Sequence, residues 1–208
     1  MRIGFGRRRF VTAGIALAGI ARMPALAYAQ PSSGAGQFIA SLSEKAIAAL
    51  TDKDTPREER VRRFRVLLHD HFAVETIARW VLGRHWNTAS ADARAEYLRL
   101  FEELIVYSYV DRFTEYAGEK LVVLRSLVVE GNDEMVYSTI VRESQPEPVE
   151  VDWRVRQRDG KFKIVDVMVK GISLGITQRQ EFASVLTRNN NDMAAFLSDL
   201  RERVKKGA

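Results

Sequence analysis

Apolar residues along this chain fall first into helical spacing, then into strand spacing, then into helical spacing again. Phe38, Ile39, Leu42, Ala46, Ile47, Ala49 and Leu50 recur every three or four positions and predict a helix over Phe38 to Leu50. Thr55-Pro56-Arg57-Glu58 carries a helix-start signature, with Thr55 as N-cap, Pro56 at the first helical position and Glu58 closing a capping box. The helix beyond it sets Val61, Phe64, Leu67, Leu68 and Phe72 on one stripe and charges on the other face. A short helix over Val74 to Val81 runs up to Gly83. A long one is predicted from Ala91 to Tyr116 behind Ser90, with Leu98, Phe101, Leu104, Ile105, Ser108 and Phe113 in register.

At Gly118 the period changes to two. Leu121 to Val129, Met135 to Arg142, Val149 to Arg156 and Lys161 to Val169 read as four strands. In the third, Val149, Val151, Trp153 and Val155 alternate with Glu150, Asp152, Arg154 and Arg156, the pattern of a sheet with one face in the core and one in water. Asp159-Gly160 supplies a tight turn to the fourth strand, so the sheet is a meander and antiparallel. After Gly171 to Gly175 helices resume, over Ile176 to Arg188 and again past Asn191 with Met193, Phe196, Leu197, Leu200 and Val204. The predicted class is α+β in one domain with a helical lobe.

Composition sharpens this reading at the N-terminus. The 208 residues are 46% apolar, as in globular domains, and carry a formal charge of +5. All of that excess sits in residues 1–29, where Arg2, Arg7, Arg8, Arg9 and Arg22 face no carboxylate. The remainder is formally neutral, which removes the argument for a nucleic-acid partner; Arg201 to Lys206 is left as a local basic run. Arg7-Arg8-Arg9-Phe10-Val11 resembles a twin-arginine export signal, Phe10 to Ala21 is an uncharged apolar centre, and Ala27-Tyr28-Ala29 is a small-residue cleavage site. These features predict a signal over 1–29 cleaved after Ala29, a flexible leader over 30–36, one domain over 37–205, and residence in a bacterial periplasm. With no cysteine, the domain has no disulfide, thiolate metal site or cysteine nucleophile and rests on its core.

Catalytic motifs are incomplete. Gly171-Ile172-Ser173-Leu174-Gly175 matches the G-x-S-x-G elbow of α/β-hydrolases, but that fold needs a histidine after its serine, and His69, His71 and His85 all precede Ser173. Ser173 is therefore read as a turn or capping residue. His69 and His71, two apart on a helix, point about 200° away from each other and do not share a metal. Asp166 interrupts an apolar strand and is either turned outward or paired with an arginine, Arg179 being one candidate; structural pairing is the preferred reading. What remains in surplus is aromatic: Trp80, Trp86, Tyr97, Phe101, Tyr107, Tyr109, Phe113, Tyr137 and Trp153. An exported, neutral domain without catalytic equipment or a metal site points to binding.

Gly83-Arg84-His85-Trp86, the block Asp152 to Val155 continuing through Asp159 to Val167, then Gly171 to Leu174 and Arg179-Gln180-Glu181-Phe182, resemble the MlaC, or toluene-tolerance, family of periplasmic phospholipid carriers. The resemblance covers about Phe38 to Leu200, with two departures: Phe162 where the family often has Trp, and Asn190 or Asn191 where Gly is common. It implies an NTF2-like fold whose twisted four-stranded sheet and helices enclose an apolar cavity for lipid tails. It also implies phospholipid as cargo with no further cofactor. The implied partners are an inner-membrane ABC transporter with a Mce-domain ring and an outer-membrane lipoprotein and porin complex, with the carrier itself a monomer. A polycyclic hopanoid cargo and a lipid-independent adaptor are the alternatives.

Exposing an acyl CH2 to water costs about 0.8 kcal/mol, so ferrying a two-chain lipid with roughly thirty of them requires burial worth some 24 kcal/mol. Such a cavity approaches or exceeds the top of the usual range of about 300 to 1,000 Å³. Its expected wall takes Phe101, Leu104, Ile105 and Tyr109 from the long helix, Tyr137, Trp153 and Val167 from the sheet, Ile172 and Leu174 from the following turn, and Trp86.

Overall fold

A computed structural model describes residues 33–142 and 145–207. The export signal expected over 1–29 and the start of the expected leader lie outside the described residues. Helices α1 (Gly34–Leu50), α2 (Arg57–His71), α3 (Val74–Leu82), α4 (His85–Thr88) and α5 (Ala91–Tyr109) lead into a 3-10 segment, Val110–Glu115. Strands β1 (Lys120–Glu130), β2 (Asp133–Arg142), β3 (Gln145–Arg158), β4 (Lys161–Val169) and β5 (Ile172–Ser173) follow, then α6 (Leu174–Arg188) and α7 (Met193–Gly207). The sheet is an antiparallel meander in the order β1-β2-β3-β4-β5. Its class is α+β, as the change of period predicts. The predicted Asp159-Gly160 turn is present, both residues having positive φ, 51° and 73°.

The chain departs from its periodicity where small residues and buried charges intervene. Helix α1 begins at Gly34, ahead of Phe38, so 34–36 are not leader. A Cβ on Gly34 would lie 3.0 Å from the Phe162 ring, so the glycine lets the helix meet the sheet. Ser33 caps the helix, its Oγ accepting from the Gly36 N–H at 3.0 Å and from the Ser126 hydroxyl at 2.6 Å. Thr55 does not cap α2. Its hydroxyl donates to Asp52 at 3.0 Å, and the buried Arg60 donates to the Thr55 and Leu50 carbonyls, which turns Thr55 toward the preceding loop. Helix α5 ends at Tyr109 and not Tyr116; the tighter 3-10 winding keeps Val110 buried and brings Asp111 to Arg57 at 3.1 Å. Two residues that read as turn, Ile172 and Ser173, add a fifth short strand. Asn190 and Asn191 adopt positive φ, 54° and 60°, and so do the work of a glycine between α6 and α7.

The apolar side chains divide into two cores. One is helical, built from α3, α5, α6 and α7 around Tyr97, Phe101, Phe182 and Phe196. The other packs α1, through Ile39 and Leu42, on Val123, Val136, Val155 and Ile164 of the sheet. The α2–α3 junction is tied to β4, the Ala73 N–H donating to the Ile164 carbonyl at 2.9 Å.

Asp133, 2% exposed, anchors the end of the sheet at the β1–β2 turn. It accepts from Arg156 at 2.6 and 2.8 Å and from Arg154 at 2.7 Å. Arg156, seconded by Arg154, holds its carboxyl below the usual carboxylate range against the opposing effect of burial. A carboxyl whose folded value is depressed stabilises the fold above its unfolded value, near about 3.9, and loses that contribution as pH falls through the folded value. Asp133→Asn is expected to cost about 1–3 kcal/mol at pH 7 in urea denaturation. The gap from the unsubstituted protein should narrow progressively below about pH 4.

Candidate functional site

Between the two cores the side chains do not close up. A cavity of about 370 Å³ lies there, lined by Val81 and Phe101 of the helical core and by Ile164, Val167 and Trp153 from the sheet. A second space, of about 290 Å³, lies between α1, α2 and the sheet, with Ile39, Leu42, Leu121 and Val151 in its wall. Phe64, Leu68, Phe72, Phe113 and Trp153 line both. A single volume near 1,000 Å³ is therefore replaced by two smaller ones, and the divide between them is made of side chains.

Seven of the ten wall residues expected from sequence line the larger cavity: Phe101, Leu104, Ile105, Tyr109, Trp153, Val167 and Leu174. Trp153 is held by its indole, which donates to Ser138 Oγ at 3.0 Å, while the Ser138 hydroxyl donates to the Val151 carbonyl. Three residues stand elsewhere. Tyr137 is one register step out: its neighbours Val136 and Ser138 face inward, and its ring carries Arg125 at 4.3 Å on the opposite face. Trp86 packs edge-on against Tyr97 from behind the helical core. Ile172, on the edge strand β5, is 64% exposed. Conversely, α2, α3 and the junction between them supply Phe64, Leu68, Phe72, Val74 and Ile77. The apolar stripe of α2 was visible in the spacing, but not which space it faces.

Polar lining residues of the larger cavity are few: Ser108, Arg112, Asp166 and Gln178. Ser108 and Arg112 are exposed lining residues, so the larger cavity reaches the surface at the end of α5. Arg112 rests over the Tyr109 ring at 5.3 Å. Asp166 does not pair with Arg179. It accepts from the Ser173 hydroxyl at 2.6 Å and from the Val167 and Gly175 N–H groups at 2.9 and 3.1 Å, which places its charge at the N-terminus of α6. Arg179 instead donates to the Trp80 carbonyl at 3.2 Å.

Ser173 is the N-cap of α6, its Oγ accepting from the Ile176 N–H at 2.9 Å. With its proton given to Asp166, it has no histidine base among its hydrogen-bond partners. His69 turns to Glu102 at 3.1 Å, and His71 stacks near Phe38 at 5.5 Å, the divergence that helix geometry requires. No cluster of three or more metal-ligating side chains occurs among the described residues.

Comparison with known proteins agrees with this architecture. A solved phospholipid-binding protein from Ralstonia solanacearum, in complex with a phospholipid, superposes with a TM-score of 0.76 at 17% identity, covering 84% of this chain and 99% of that one. The intermembrane phospholipid transport system binding protein MlaC of Haemophilus influenzae is 23% identical over 120 residues, 52% of this chain. The chain spans about half the length, 56%, of that curated relative. The family profile described as MlaC protein matches residues 40–202. The chain belongs to the MlaC family.

Proposed function

We propose that this chain carries phospholipid between membranes, holding acyl tails in the apolar space between its two cores. The observation that carries the reading is the pair of adjoining apolar cavities, which share Phe64 and Phe113 in their walls. Two tails leaving one head group suit two adjoining spaces. The opening at Ser108 and Arg112 offers the head group solvent and one guanidinium for its phosphate. Acyl chains need no directional partners, in keeping with a wall that is almost entirely hydrocarbon.

Membership of the MlaC family supports a periplasmic setting, with the protein as the soluble component between an inner-membrane Mce-type ABC transporter and an outer-membrane lipoprotein and porin complex. Cargo, in this reading, is bound and released without chemical change. Ser173→Ala separates carriage from hydrolysis. Loss of the cap should cost about 1 kcal/mol of stability, read by thermal unfolding. Bound lipid per folded molecule should be unchanged, and ester hydrolysis should stay at the background rate in both proteins. A loss of esterase turnover on substitution would favour the hydrolase. Fluorescent phospholipid displacement tests binding itself: saturable uptake is expected, and none would remove the carrier reading.

A further inference from the structure

A second concave site lies on the outer side of α3. It is a cleft of about 480 Å³ lined by Glu75, Thr76, Arg79, Trp80, Trp86 and Asn87. Trp80 is 44% exposed, large for a tryptophan that could have joined the adjacent core. Three guanidinium groups lie on the two indoles: Arg79 and Arg94 over Trp86 at 5.1 and 5.4 Å, and Arg179 over Trp80 at 5.0 Å. Glu75 answers only Arg79, at 3.8 Å. Arg94 donates to the Trp86 and Asn87 carbonyls and Arg179 to the Trp80 carbonyl, and among the described residues neither forms an ion pair with a carboxylate.

The basic run visible in the sequence behaves differently. Arg201 is paired with Glu96 at 2.6 Å, Arg203 with Glu181, and Lys205 with Glu202 at 2.9 Å. Beside this cleft, by contrast, Arg94 and Arg179 lie on its two indoles and are held through backbone carbonyls.

We propose that the cleft between Trp80 and Trp86 is a docking site for an acidic segment of a partner protein. Carboxylates entering it would meet Arg79 in its wall and Arg94 and Arg179 beside its two indoles, as bidentate donors. Exposed tryptophan beside arginine is the composition that concentrates binding energy at protein interfaces. A concave cleft suits inserted side chains, whereas a bilayer surface would favour a protruding apolar face. The cleft adjoins the cargo cavity, since a Cβ on Gly175, a cavity-lining residue, would lie 3.1 Å from the Trp80 ring. The proposal does not depend on the cavity being filled.

The test is calorimetric titration of the full chain with an oligoglutamate peptide of about 20 residues at low salt, where exposed ion pairs are least screened. Arg179→Glu and Arg94→Glu, beside the two different tryptophans of the cleft, should each weaken binding about tenfold, while Lys206→Glu, the same charge change on α7, leaves it within about twofold. Lipid content of each variant, measured by native mass spectrometry, reports the cargo site separately and should not move. Three results would overturn the proposal: no peptide binding, equal weakening by all three substitutions, or sensitivity of both cleft variants confined to vesicles of phosphatidylglycerol and phosphatidylcholine.

Discussion

Leu104→Glu is expected to abolish lipid retention in a protein that still folds. Leu104 lies on α5 and lines the larger cavity, where it is only partly buried, and glutamate is as good a helix former as leucine. With an acyl tail beside it, the new carboxylate would be cut off from water with no partner, at a cost of several kcal/mol. Since about 1.4 kcal/mol is a factor of ten, affinity for phospholipid should fall by at least about a hundredfold. Without a tail the carboxylate stays hydrated, so the thermal midpoint should change little. Displacement of a fluorescent lipid, with circular dichroism alongside, distinguishes the two effects. Unaltered retention in a folded variant would move the tails away from α5.

Phe182→Ala should do the reverse, damaging the fold and sparing the cavity. Phe182 is fully buried and packs against Tyr97, Phe101 and Phe196 at centroid separations of 6.2, 6.3 and 5.1 Å. Removing a ring from such a cluster costs about 3–5 kcal/mol in transfer free energy and residual void. For a domain of this size that lowers the melting midpoint by roughly 6–20 °C. Phe182 does not line either cavity, so lipid bound per folded molecule at a permissive temperature should match the unsubstituted protein. The pair of substitutions thus separates the stabilising core from the binding space.

The contrast also explains what could be read from the chain. Alternation of Val149 to Arg156 identified β3 and its inward face, and Phe101, Leu104 and Ile105 identified the inward stripe of α5, because burial imposes a period on both. Facing was less secure in β2, where Tyr137 is flanked by apolar and small residues and a single step of register exchanges inside for outside. Contacts made across the chain left no period at all. The approach of Gly34 to Phe162, the grip of Arg57 on Asp111 that accompanies the end of α5, and the engagement of Asp166 by the α6 N-terminus each join segments distant in sequence or loops without repeat. The split of the cavity belongs to the same class: α2 showed its stripe, but only the fold sets Phe64 against Phe113, at 5.8 Å between ring centroids.

The most direct test of the carrier account is native mass spectrometry of protein purified from the periplasm without detergent, followed by extraction and identification of any bound lipid. The account predicts a protein carrying one two-chain phospholipid, lost in Leu104→Glu and kept in Lys206→Glu. A ligand-free mass for the unsubstituted protein, with no phospholipid in the extract, would contradict it.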